Sequence, residues 1–302
     1  MKTRTGLFAA VTAIAFWATG NIIVRKVDLP GLQIGFWRIV LAAAVYWLIL
    51  LALGRRLTLT HLKKSAPAGI AISLEIALFF VAIKATTVAN TTVIGALQPF
   101  VLLVFGIRRF GERITVRVVS LAVVALAGVA LVVFGSTAQP IWSPRGDLLA
   151  FGAMLLFALY YIFAKTALLE VPALEFQTAV WVVGAVVLLP FAAIDAGGIV
   201  IPEWHHWRGL LVLLLIPGTG HLLMNWAHPR VKLSVTSILT LGIPVLSTIG
   251  AALVLDEPII GWQVPGIAIV LLALGEAIRR EAQLRAEHPS HQAADLGPEP
   301  QV

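Results

Sequence analysis

Apolar positions in this chain run in long unbroken stretches, such as LLVLLLIPGTG at 210–220 and VVSLAVVALAGVALVVF at 118–134, with no alternation of period two. A membrane β-barrel shows short alternating strands, and in lipid the helix is the other way to satisfy every backbone polar group. Charged residues, Pro and Gly break the pattern into ten predicted helices. They lie near 5–25, 32–53, 66–84, 88–109, 115–135, 145–168, 173–195, 207–227, 232–254 and 261–279. Each is close to the roughly 20 residues that cross a bilayer. The predicted fold class is therefore an all-α integral membrane protein.

Composition agrees, with 59% hydrophobic and 12% charged residues in 302, against about 45–50% apolar and about 25% charged in soluble domains. The net charge of +7 does not point to nucleic acid, because Lys and Arg sit at the ends of apolar runs rather than along one polar face. With the amino terminus inside the cell, sixteen Lys and Arg flank the inner ends of the segments and five the outer ends, Arg38 alone lying inside a segment. That positive-inside bias predicts an inner (plasma) membrane protein with both termini cytoplasmic and with lipids as partners. The basic, apolar opening of the chain is read as the first crossing rather than a cleaved signal, since the run contains Trp17 and Asn21 and ends in Arg25 and Lys26. Trp142, Trp204 and Trp207 fall near predicted ends, as interfacial aromatics do. Absence of cysteine excludes disulfides, Cys-ligated metal and thiol catalysis. No G-x-x-x-x-G-K-[ST] occurs, so direct ATP drive is not expected. No cofactor and no metal are expected. The polar, Pro-containing residues 283–302 read as a disordered cytoplasmic tail.

Sliding the second half back by 145 residues lays Thr236 on Thr91, Pro244 on Pro99 and Glu257 on Glu112. A slide of 140 lays Phe157 on Trp17, Tyr161 on Asn21 and Lys165 on Arg25. Units of five crossings each must face opposite ways, the plan of many secondary transporters, whose sites lie near the midplane between repeats. The expected units are 1–139 and 140–282. On these residues, with the P-x12-E pattern ending in GER at 111–113 and DEP at 256–258, the chain resembles the drug/metabolite transporter superfamily. It is most similar to the ten-helix exporters built from two EamA-type units, and among them to amino-acid exporters of the YddG type. The second copy departs from the first in lacking GER and in carrying Ile243 where the first has Gln98.

Polar groups deep in apolar helices are costly and invite a functional reading. Glu75 lies midway along the third segment with Phe79 one turn on; it reads either as an acid hydrogen-bonded between helices or as a group that recognises a substrate ammonium or is gated by protonation. In the eighth segment His221, Asn225 and His228 share one stripe, as packing hydrogen bonds or as site groups. Trp17, Asn21, Phe157, Tyr160 and Tyr161 would give an amphipathic lining, or would face lipid. Gln98 lies beside Pro99; Pro99 and Pro244 each remove a backbone donor and mark bend points, moving or static. Glu112 and Glu257 read as caps just ahead of the fifth and tenth segments.

The resemblance implies a secondary transporter exporting small metabolites, most of all amino acids, with hydrophobic or aromatic ones suited to the aromatic candidates. A small-molecule substrate and function as a monomer follow from one chain holding both repeats. Two other classes stand beside it. One is an intramembrane enzyme using His205, His206, His221 and His228, which shows neither H-E-x-x-H nor a nucleophile–base pair. The other is a channel or scaffold, which usually gathers its pore from several chains.

Overall fold

The computed structural model describes residues 2–24, 27–135 and 143–287. Thirteen α-helices are described: α1 Lys2–Val24, α2 Gly31–Ala52, α3 Leu59–Ala85, α4 Val88–Gly95, α5 Gln98–Phe110, α6 Val116–Phe134, α7 Pro144–Ala167, α8 Ala173–Ile194, α9 His206–Leu213, α10 Thr219–Ala227, α11 Leu233–Leu239, α12 Gly242–Val254 and α13 Gln263–Glu287. There is no strand among the described residues. Among the described residues, nine helical runs are long and apolar enough to cross a membrane. The tenth expected crossing is α13, whose apolar first half ends at Glu276, Arg279 and Arg280, so that charge lowers its hydropathy.

Three predicted helices are interrupted rather than straight. The fourth divides into α4 and α5 just before Pro99, and the ninth into α11 and α12 just before Pro244. A proline near the start of a helical piece lacks only a donor that would be unpaired there. The eighth divides at a π-helical turn, Leu214–Gly218, around Pro217, between α9 and α10. The last helix also continues to Glu287, so residues 283–287, expected in a disordered tail, are helical; Glu276 links Arg279 and Arg280 across its turns and adds support there. Residues 288–302 of that tail lie outside the described residues, as do Arg25, Lys26 and Trp142, and so do the side chains of Asn21 and Lys84.

Each half wraps around the first helix of the other. Helix α1 packs on α10 and α12, and α7 packs on α3, α4 and α5. The second helices, α2 and α8, lie together, and the last helices, α6 and α13, cross at two glycines. A Cβ on Gly128 would sit 2.7 Å from Val270 Cγ2 and 3.0 Å from the Gly266 carbonyl oxygen. Small residues let membrane helices approach to backbone contact. This exchange of helices between halves is the arrangement of two inverted repeats closed around a shared centre.

Candidate functional site

The central cluster is set by a close crossing of α1 and α10. A Cβ on Gly220 would lie 3.0 Å from Trp17 Cδ1 and 3.1 Å from the Ala13 carbonyl oxygen, so a side chain there would push the neighbouring helix back by a few tenths of an ångström. The next residue, His221, is thereby placed with its ring 4.7 Å from Trp17. Trp17 also meets Phe157 at 6.2 Å and Tyr161 at 6.5 Å, and Phe157 stacks on Tyr160 at 6.1 Å. Trp181 of α8 closes the group at 5.1 Å from His221. Below the rings, Tyr160 Oη donates to Asn225 Oδ1 at 3.1 Å, and Asn225 Nδ2 donates to Gln177 Oε1.

Of the residues singled out in the sequence, the structure thus brings together Trp17, Phe157, Tyr160, Tyr161, His221 and Asn225. Trp181 and Gln177 join them unforeseen, although their spacing of four on one apolar helix was a signal available in the sequence. Several buried polar atoms of the cluster have no partner among the described residues: Trp17 Nε1, Trp181 Nε1, Tyr161 Oη, His221 Nδ1 and Gln177 Nε2. Buried polar groups are normally satisfied. An assembly with this many open valences is suited to receive a polar ligand or water.

Glu75 and Phe79 stand apart from the rings. A Cβ on Gly35 of α2 would lie 2.9 Å from Ile76 Cγ2 of α3, so the two helices are tightly apposed there. One turn past Gly35 comes Arg38, and Glu75 directly precedes Ile76. The two side chains attract each other by charge, and Arg38 also acts on His221. Arg38, the charge inside a crossing that sequence reasoning left unassigned, is therefore the link between Glu75 and the cluster. The Phe79 ring contacts Phe80 at 6.0 Å. Gln98 lies elsewhere, at the breaks in the two discontinuous helices, where Thr240 Oγ1 donates to Gln98 Oε1 at 3.5 Å.

Space at the centre is small. A cavity lined by Arg38, Trp181, Leu214, Gly218 and His221 measures about 10 Å³, room for roughly one water. A crevice of about 750 Å³ opens between α1, α2, the α7–α8 turn and α10, with Arg55 and Arg230 in its lining, and it reaches Asn225. That volume falls within the roughly 300–1,000 Å³ of small-molecule sites.

Glu112 does cap a helix, but not the one expected. The following helix, α6, is capped by Thr115, whose hydroxyl accepts from Val118 N. Glu112 instead crosses to the other repeat, where Oε1 accepts from Leu233 N and Oε2 from Ser234 N at 3.0 Å, at the start of α11. Lys165 Nζ donates to Glu112 Oε1 at 3.0 Å and to the Val231 carbonyl at 3.1 Å. Burial pushes the Glu112 carboxyl up, but the Lys165 ammonium and the backbone amides of Ser234 and Leu233 outweigh it and hold it below the usual carboxylate range. Glu257, its repeat mate, is exposed and lies before α13 rather than in a buried network of this kind.

The four histidines do not gather. His205 and His206 flank the start of α9 with rings 3.9 Å apart, while His221 is 15 residues further along a nearly continuous helical run, about 22 Å at 1.5 Å per residue. Among the described residues no group of three or more His, Asp or Glu could hold a metal ion.

Comparison with functionally curated proteins finds no match. A solved crystal structure of another protein superposes with a TM-score of 0.79, covering 94% of this chain and 98% of that chain at 19% identity, which is a likeness of fold. The sequence matches the EamA-like transporter family twice, over residues 4–134 and 144–275. With both halves matched in turn and each wrapped around the first helix of the other, the chain belongs to the EamA-like transporter family.

Proposed function

We propose that this membrane transporter exports amino acids, hydrophobic or aromatic ones foremost, by alternating access as a monomer in the inner (plasma) membrane, with both termini cytoplasmic. The observation that carries the reading is the contact of Trp17 with Phe157, rings 6.2 Å apart. These residues are equivalent in the two repeats, so their meeting marks the shared centre, and the open-valence polar atoms around them supply groups for a ligand with an apolar body and polar ends. The discontinuous helices bounded by Pro99 and Pro244, joined at Gln98 and Thr240, would let the two halves part around that centre. The cavity beside Arg38 and His221, about 10 Å³, is too small for a metabolite, which supports such a motion.

Uptake of radiolabelled phenylalanine into proteoliposomes tests the reading. Accumulation above protein-free vesicles is expected, reduced on the order of tenfold in Trp17→Ala, whose ring faces three site residues. Uptake of labelled phenylalanine, leucine and tryptophan no faster than into empty vesicles would remove amino acids as cargo.

A further inference from the structure

Two other charge pairs in this protein, one buried and one half-buried, are matched by direct contact. Arg55 grips Glu175 with two hydrogen bonds of 2.7 Å, and Lys165 meets Glu112 at 3.0 Å. Arg38 and Glu75 differ. Both lie inside crossings, on α2 and α3, where an uncompensated charge is expensive. The close approach of α2 and α3, where a Cβ on Gly35 would lie 2.9 Å from Ile76 Cγ2, sets Arg38 and Glu75 on facing helices one turn or less from the contact, yet neither makes a hydrogen bond or an ion pair within 4.0 Å among the described residues. Both keep part of their surface open. Two opposite charges are thus held near each other with a gap between them.

We infer that Arg38 and Glu75 form a divided clamp for the two ends of a zwitterion, Arg38 taking the α-carboxylate and Glu75 the α-ammonium of the cargo. This rests on the amino-acid reading above and assigns its charge recognition. A guanidinium presents paired donors matched to a carboxylate. A carboxylate accepts the three donors of an ammonium. An α-amino acid carries these groups one carbon apart and so can bridge two charges that attract without touching. The direction of the side chain follows from the surroundings of Arg38. His221 lines the same small cavity, and its ring leads to Trp17 at 4.7 Å and Trp181 at 5.1 Å. With the carboxylate on Arg38, an apolar side chain points into the aromatic cluster.

The clamp predicts selection by charge as well as by shape. Purified protein in detergent is tested for ligand-induced thermal stabilisation, and in proteoliposomes for uptake, with phenylalanine, phenethylamine and 3-phenylpropionate. The three share the ring and differ in which charge they carry. Phenylalanine is expected to bind about tenfold or more tighter than either analogue, since a site that holds a polar group discriminates against a ligand lacking it. Arg38→Gln is expected to abolish the preference for phenylalanine over phenethylamine, and Glu75→Gln the preference over 3-phenylpropionate. Arg38→Lys, which keeps the charge, should retain part of the preference, and unliganded melting curves report whether each variant is folded. Parent protein that binds phenethylamine or 3-phenylpropionate as tightly as phenylalanine overturns the clamp while leaving the exporter reading standing. Failure of the parent to bind or move any of the three overturns the amino-acid reading itself, and the clamp with it.

Discussion

At the scale of single residues, the most consequential contact outside the ligand cluster is the buried pair of Glu112 and Lys165. It joins the end of the fourth crossing of one repeat to the first and fourth of the other, and the amides of Leu233 and Ser234 complete the carboxylate's valences. Removing one partner of such a pair leaves a charge stranded in a poor solvent, at a cost of about 3–5 kcal/mol. Lys165→Met is therefore expected to lower stability by that amount, read as a fall in the melting temperature of the detergent-solubilised protein. A melting temperature within a degree of the parent's would show that the pair contributes nothing net. The pH dependence has a definite sign. Because the folded carboxyl lies below its ordinary range, the stability it adds is present above the unfolded value of about 4.3 and is lost as pH falls through the folded value.

At the scale of elements, close crossings and broken helices divide the roles of fixing and moving. The α6–α13 crossing has no room for a side chain at Gly128, where a Cβ would stand 2.7 Å from Val270 Cγ2, whereas a Cβ on Gly95 at the end of α4 meets nothing within 4 Å. Gly128→Leu is expected to destabilise by about 1–3 kcal/mol or more through overpacking. Gly95→Ala is expected to be neutral or to stabilise by about 0.4–1 kcal/mol. Thermal unfolding of both variants checks the contrast, and equal behaviour would deny that the last helices are fixed by contact. The break before Pro244 is the opposite kind of feature. Restoring the missing donor in Pro244→Ala favours a continuous helix, so uptake is expected to slow on the order of tenfold while thermal stabilisation by phenylalanine stays unchanged. Loss of that stabilisation along with transport would assign Pro244 to the site rather than to its movement.

At the scale of the whole molecule, duplication and inversion are one property. Each repeat has an odd number of crossings, so matched loops emerge on opposite faces of the membrane. The native chain has no cysteine, which makes single-cysteine labelling unambiguous. Arg56→Cys, between α2 and α3, should react with a membrane-impermeant maleimide only from the cytoplasmic side, and Glu203→Cys, between α8 and α9, only from the other side. Labelling of both from the same side would break the antiparallel arrangement.

Much of this was legible in the chain itself, for a physical reason. A bilayer imposes length, apolarity and helical hydrogen bonding on each crossing independently, so the crossings, the repeat and the residues Trp17, Phe157, Tyr160, Tyr161, His221 and Asn225 stood out by local pattern. Helix breaks did not, because Pro99, Pro217 and Pro244 are each compatible with a kink or a full interruption, and packing decides which. Pairings across the molecule were equally hidden: Glu112 read as the cap of the next helix, and only the exchange of first helices between repeats carried it to α11 and Lys165. Arg38 showed the same limit, since its charge marked it as costly in the sequence, but its relation to Glu75 and His221 exists only where α2, α3 and α10 converge. Sequence determined which groups had to leave the lipid; the tertiary fold decided which of them would face one another.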